Sequence, residues 1–188
     1  MKMKQLSFTL TSLAMLAMVG VTTTRVALAQ NSHFLGTLTA APGSDGDDTN
    51  AADPKGSDVA VSFKEAGLGN NVSITYVADA NFTGTYACIN GGGKHPSATN
   101  KETVSGPVSG TGTFSSGKNG TISQSVNIEE AGPGSFACPS GQSLILAFVS
   151  YTGITLTDTT TPVGPVAATP GSLSACFVSG DLAAELCP

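Results

Sequence analysis

The chain has 188 residues and a mass of 18.7 kDa, the size of one ordinary domain. Only 11% of its residues are charged, Trp is absent and Gly numbers 23, which excludes a long helical bundle, a coiled coil and a disordered polyelectrolyte. A formal net charge of −5 and a pI near 4.7 exclude a nucleic-acid binder, which needs basic patches to displace counterions.

The chain opens with the pattern of a leader. Lys2 and Lys4 precede an apolar run over residues 6–21, and Ala27-Leu28-Ala29 supplies the small-x-small pattern read by signal peptidase. Residues 1–29 are therefore expected to be cleaved, leaving Gln30 as the mature N-terminus. The run is shorter than the ~20 residues that span a bilayer, so no membrane span is expected in the mature form. Cleavage removes all four Met and the sole Arg, Arg25, and leaves five Lys against 13 acids, a formal net charge of −8. The expected location is secreted, or periplasmic in a suitable host. The acidic balance repels anionic partners, and without Arg the mature chain lacks the usual bidentate clamp for phosphate.

Residues 30–57 read as one edge strand through Phe34-Leu35-Gly36-Thr37-Leu38, followed by an acidic loop rich in turn residues. From residue 58 the chain alternates with period two: Val59, Val61 and Phe63 face one way, Asp58, Ser62 and Lys64 the other. Gly67-Leu68-Gly69-Asn70 turns the chain into a strand through Val72, Ile74 and Tyr76. Further strands are expected through Tyr86 and Cys88, through Gly110, Gly112 and Phe114, and through Ile122, Val126 and Ile128. Asn119-Gly120, between the last two, is a hairpin signal. Residues 144–149 are apolar on both faces and read as a central strand, followed by Ile154 and Leu156 alternating with Thr155 and Thr157. About seven short strands with frequent Gly turns predict an all-β chain, an antiparallel β-sandwich over residues 58–178. It is immunoglobulin-like in architecture but lacks the immunoglobulin Cys-Trp-Cys pattern. Residues 179–188 form a tail in which Asp181 to Leu186 suit one helical turn.

Cys88, Cys138, Cys176 and Cys187 all survive cleavage, and an even count in an exported chain reads as disulfides in one of three connectivities. Their spacing, without a C-x-x-C pair, does not suit zinc. Pairing Cys176 with Cys187 would tie down the tail. The other bridge, Cys88 with Cys138, is supported by Tyr86-Ala87-Cys88 and Phe136-Ala137-Cys138, each with an aromatic two residues before the Cys on one strand face.

Catalytic and ligand sites are sparsely signalled. His33 sits near the new N-terminus, and no G-x-S-x-G elbow occurs. Carboxylates for glycoside hydrolysis would have to come from Glu65, Glu102, Glu129, Glu130 or Glu185, and the adjacent Glu129 and Glu130 would point to opposite strand faces. Asp45, Asp47, Asp48, Asp53 and Asp58 lack the EF-hand spacing and read as a solvated acidic loop. Tyr76, Tyr86 and Tyr151, the aromatics on which a sugar would stack, read as core. Neither cofactor nor metal is expected. One loop remains as a candidate for binding: Asn90, Lys94 and His95 flank or follow three consecutive glycines, and Lys94-His95 is the sole adjacent basic pair of the mature chain. The leading expectation is a secreted, non-catalytic β-sandwich module that binds or builds at the cell envelope, its partner an extracellular ligand or surface. The alternative is a secreted hydrolase with an unrecognised active site.

Four stretches also carry a resemblance. Val61-Ser62-Phe63-Lys64-Glu65-Ala66-Gly67-Leu68-Gly69, Cys88-Ile89-Asn90-Gly91-Gly92-Gly93 with Asn100-Lys101, Ser116-Gly117-Lys118-Asn119-Gly120 and Cys138-Pro139-Ser140-Gly141-Gln142 resemble a group of small exported, mostly bacterial β-sandwich proteins with no assigned activity. The resemblance covers about residues 58–160. It implies a secreted single-domain protein and transfers no catalytic residue.

Overall fold

Period-two alternation becomes two antiparallel sheets packed face to face in the computed structural model, which describes residues 31–44, 46, 48, 50–90 and 100–188. The first sheet centres on β3 (Val59–Ala66). The strand β6 (Thr121–Ile128) lies along one side of it, and the short β1 (His33–Phe34) and β2 (Thr39–Pro42) lie end to end along the other. In the second sheet, β4 (Ser73–Asn90) lies between β5 (Lys101–Ser115) and β7 (Gln142–Asp158). Both β8 (Val163–Ala167) and β9 (Ser172–Cys176) share the far edge of β7. A single helix among the described residues, α1 (Asp181–Leu186), follows. The fold is an all-β sandwich.

Burial explains the alternation. Val59, Val61 and Phe63 of β3 meet Tyr76, Leu146 and Tyr151 of the second sheet in one core. The central strand β7 is apolar on both faces for a reason: Leu146 and Val149 enter that core, while Ile145 and Ala147 pack with Leu186 of α1 on the outer face. Away from β5 and β6 the two sheets are joined by backbone. Thr169, between β8 and β9, accepts from the Ala40 N–H (3.2 Å) and donates to the Leu38 carbonyl (2.8 Å).

Several local expectations are corrected. The described residues hold nine strands rather than about seven short ones, and β4, β5 and β7 run 18, 15 and 17 residues. Gly153, which read as the break between a strand over residues 144–149 and one through Ile154 and Leu156, lies inside β7. Ala147 and Gly153 (φ +65°) stand where the β4–β7 register shifts, as β-bulges that bend the strand without ending it. Pro107 is accommodated because β5 pairs only with β4 and occupies a sheet edge. The N-terminal edge strand is split, since β1 and β2 pair with β3 out of step with each other. Asp58, expected to face outward with Ser62 and Lys64, is 2% exposed; it precedes β3 and escapes the alternation.

Asn119-Gly120 does not close a hairpin. The strand β5 belongs to the second sheet and β6 to the first, so residues 116–120 form a corner between sheets. It lies against a second corner, residues 67–72, which carries β3 into β4. Buried Ser116 binds the two: its Oγ donates to the Gly69 carbonyl (2.7 Å) and accepts from the Val72 N–H (2.9 Å). Backbone bonds from Asn71 to Gly117 and from Leu68 to Gly120 complete the contact, supplying the partners a hairpin ladder would have supplied.

Cys88 is bonded to Cys138 and Cys176 to Cys187. Only half of the twin-motif geometry holds. Tyr86 and Cys88 lie on the core face of β4, but Phe136-Ala137-Cys138 runs outside any strand, where Gly132-Pro133-Gly134 and Pro139 interrupt the extended backbone. Phe136 packs partly buried against the core, and the bridge fastens this loop to β4.

Candidate functional site

A wide concavity lies where β5 and β6 run back along each other from their shared corner. They touch closely. A Cβ at Gly110 would overlap the backbone carbonyl of Asn127, and one at Gly112 would meet the Phe114 ring (2.7 Å) and Val126 (3.2 Å). Glycine at these inward-facing positions lets β5 approach β6, while leaving the space between the sheets open beside Gln124. That residue pairs with Phe63 across the first sheet and so shares its inward direction, yet it is exposed.

An open groove of about 960 Å³ results. Ser62, Ser123 and Ser125 of the first sheet and Ser109 and Thr111 of β5 form its walls. Phe63, Phe114 and Val126 supply apolar surface, and Glu129 is the one charged lining residue among the described residues. Sequence reasoning did not single out this groove. Its signal was there in Gly110 and Gly112 on one strand and an amide, Gln124, at an inward position of the other.

A second constellation sits at the end of the sandwich opposite the two corners. Ser57 Oγ donates to Asp53 Oδ1 (3.1 Å) and contacts Glu130 Oε2 (3.4 Å), and the Glu130 N–H donates to Asp58 Oδ1 (3.2 Å). Burial, the hydrogen bond with the Asp58 side chain and the charges of Asp53 and Asp58 together push Glu130 up to about 8, although its backbone hydrogen bond acts the other way. Glu130 is therefore mostly protonated at neutral pH. The hydroxyls of Tyr86 and Tyr151 donate to the carbonyls of Ala131 (2.7 Å) and Ser57 (2.8 Å), fixing the same loops. The cavity beside Ser57 and Asp58 measures about 30 Å³, room for roughly one water. Among the described residues, no group of three or more His, Cys, Asp or Glu is arranged to hold a metal ion. Asp45 and Asp47 of the acidic loop lie outside the described residues.

Glu65 is the other buried acid. Alternation places it on the core face with Val61 and Phe63, and it is 0% exposed beside Tyr76. Burial raises its pKa, and the Asp158 charge adds to the rise; Tyr76 and His33 partly offset it. The Glu65 carboxyl and the Tyr76 hydroxyl stand near each other but outside hydrogen-bonding geometry.

The remaining sequence candidates are dispersed. Asn90 ends β4, exposed and opposite Gln142; Lys94 and His95 lie outside the described residues. Glu129 and Glu130 follow β6 rather than sharing a strand, and they serve the groove and the acid cluster respectively. Glu185 pairs with Lys101 (2.7 Å), and His33 Nδ1 lies 2.8 Å from the Asn31 carbonyl. Tyr76, Tyr86 and Tyr151 are core residues and offer no stacking surface. No protein-family model, curated protein or solved structure matches the chain significantly.

Proposed function

We propose that the chain is exported and acts as a non-catalytic binding module whose contact surface is the β5–β6 groove. The leader pattern supports export, and two disulfides in a chain of this size suit an oxidising compartment. No helix among the described residues is long and apolar enough to cross a membrane. The observation that carries the binding reading is the groove itself: a wide concavity of neutral hydroxyls and amides, built on rigid strands of both sheets. A secreted hydrolase is the second reading, favoured by the raised pKa of Glu130 beside Asp58 and Asp53. The cavity beside that pair admits a water and no substrate, so the pair serves better as a fastening between loops.

The test has two parts. Expression with the leader, followed by N-terminal sequencing of the exported protein, is expected to find Gln30 first; retention of residues 6–21 would overturn export. A screen of purified protein against chromogenic ester, glycoside and peptide substrates is expected to show no turnover. Turnover abolished by Glu130→Gln would install the hydrolase reading instead.

A further inference from the structure

We propose that residues 32–35 form a pH-sensitive strap, which closes over the Glu65 carboxyl while that group is protonated and lifts when it ionises. Both carboxyl oxygens of Glu65 and the Tyr76 hydroxyl are buried with no hydrogen-bond partner among the described residues. A charge is costliest in such surroundings. Asp158 nearby is buried too, but it is provided for. Its carboxylate accepts from the Thr160 and Thr161 N–H groups (2.7 and 3.0 Å) and from the Thr161 hydroxyl.

One wall around Glu65 is thin. Ile122 of β6 stands opposite it on one side, Tyr76 comes from β4 and Asp158 from β7, strands of 8, 18 and 17 residues. On the other side stands Phe34 of β1, a strand of two residues. Residues directly opposite in an antiparallel pair share a face, so Phe34 lies beside Glu65 on the core side. There its ring meets Phe63 edge-on (centroids 6.0 Å) and Tyr76 at 6.4 Å. Few bonds fasten the strap. It pairs with Glu65 and Ala66, the Leu35 N–H donates to the Lys64 carbonyl (2.7 Å), and the Ser32 and Thr161 hydroxyls meet (2.9 Å). Leu35 is 39% exposed, and Gly36 turns at φ +74° with open space where a Cβ would stand. The strap therefore hinges at Gly36, while Leu38 and Ala40 beyond it stay bonded to Thr169.

The charged and titratable groups facing Glu65 are His33 from β1, Tyr76 from β4 and Asp158 from β7. Lys64, next to it on β3, points outward. Burial raises the Glu65 pKa against the Tyr76 hydroxyl, the Asp158 charge adds to the rise, and His33 opposes it. With the strap lifted, water reaches the carboxyl and its pKa returns toward the ordinary 4.5. The closed form thus holds a proton that the open form releases. Rising pH favours opening, by up to about tenfold per pH unit between the open and closed pKa values. Opening uncovers the backbone edge of β3 at residues 64–66, so the strap keeps this edge paired in acid and frees it as pH rises.

The test is amide hydrogen exchange of the mature protein from about pH 5 to about pH 8, corrected for intrinsic exchange rates, with carbon-13 titration of the Glu65 carboxyl. Protection of the Leu35 N–H is expected to fall about tenfold or more across this range. In Glu65→Gln, whose side chain does not ionise, the fall should vanish; in His33→Asn and Glu130→Gln it should persist. Phe34→Ala removes the cover and leaves the long strands intact, so it should lower the Glu65 pKa by about one unit or more. This arm decides the matter if Glu65→Gln does not fold. A Leu35 N–H unprotected at about pH 5, or protected equally throughout, would overturn the strap. So would a fall that survives Glu65→Gln, a fall abolished by His33→Asn, or an unchanged carboxyl titration in Phe34→Ala.

Discussion

At Gly110 a single added methyl group would collide with the Asn127 backbone carbonyl, which has no flexible end to yield. Gly106, two pleats earlier on the same inward row of β5, has nothing within 4 Å of its missing Cβ. The pair separates steric need from strand propensity. Gly110→Ala is expected to cost about 3 kcal/mol, because backbone must move. Gly106→Ala should stay within about 0.5 kcal/mol. Denaturant unfolding of the two variants measures the difference, and equal losses would show that β5 does not rest on β6. Sequence alone placed Gly110 on a strand and could not show this need, since the deciding atom lies on another strand.

At the scale of elements, α1 shows how a weak helix is kept in place. Six residues with no side-chain N-cap bond would not persist alone. Leu186 is buried against Ile145 and Ala147, Lys101 pairs with Glu185, and Cys187 is bonded to Cys176. Replacing Cys176 and Cys187 together by Ala should cost at most about 3 kcal/mol, the chain entropy of an 11-residue loop. The loss should be local: limited proteolysis is expected to cut near Ser179 while far-UV circular dichroism keeps its β signature. Replacing Cys88 and Cys138 by Ala should cost about 4 kcal/mol and lower the melting temperature of the whole domain.

The elements also show what was legible. Alternation identified the core face of β3, and an unbroken apolar run the two-faced burial of β7, because both signals are local. Asn119-Gly120 marked a sharp change of direction correctly but not its destination, since the Ser116 bonds that turn it into a corner come from residues 69 and 72. Gly153 read as a break because a bulge and a turn ask the same φ of the chain. The groove was hidden for a related reason: its walls come from strands of different sheets, and no window of sequence contains both.

For the whole molecule, the two raised acids set the response to pH. Glu130 titrates near 8 in the fold against an ordinary value of 4.5. Between those values the folded chain holds a proton that the unfolded chain has released. Its contribution is therefore fully present below about pH 4.5 and is lost as pH rises through about 8. Glu65, raised by burial, acts with the same sign. Melting temperature should fall from mildly acid to mildly alkaline solution. Glu130→Gln, whose amide can still donate to Asp58, should flatten the fall, and a slope unchanged by this substitution would assign it elsewhere. The joined and unjoined sides of the sandwich have a mechanical meaning too. Backbone bonds at Leu38, Ala40 and Thr169 act as the spine of a book, whereas no backbone bond among the described residues ties β5 to β6 along the opposite side. The covers can part there by separating only side-chain and glycine contacts, so this is the side on which the sandwich opens while every ladder in both sheets stays intact.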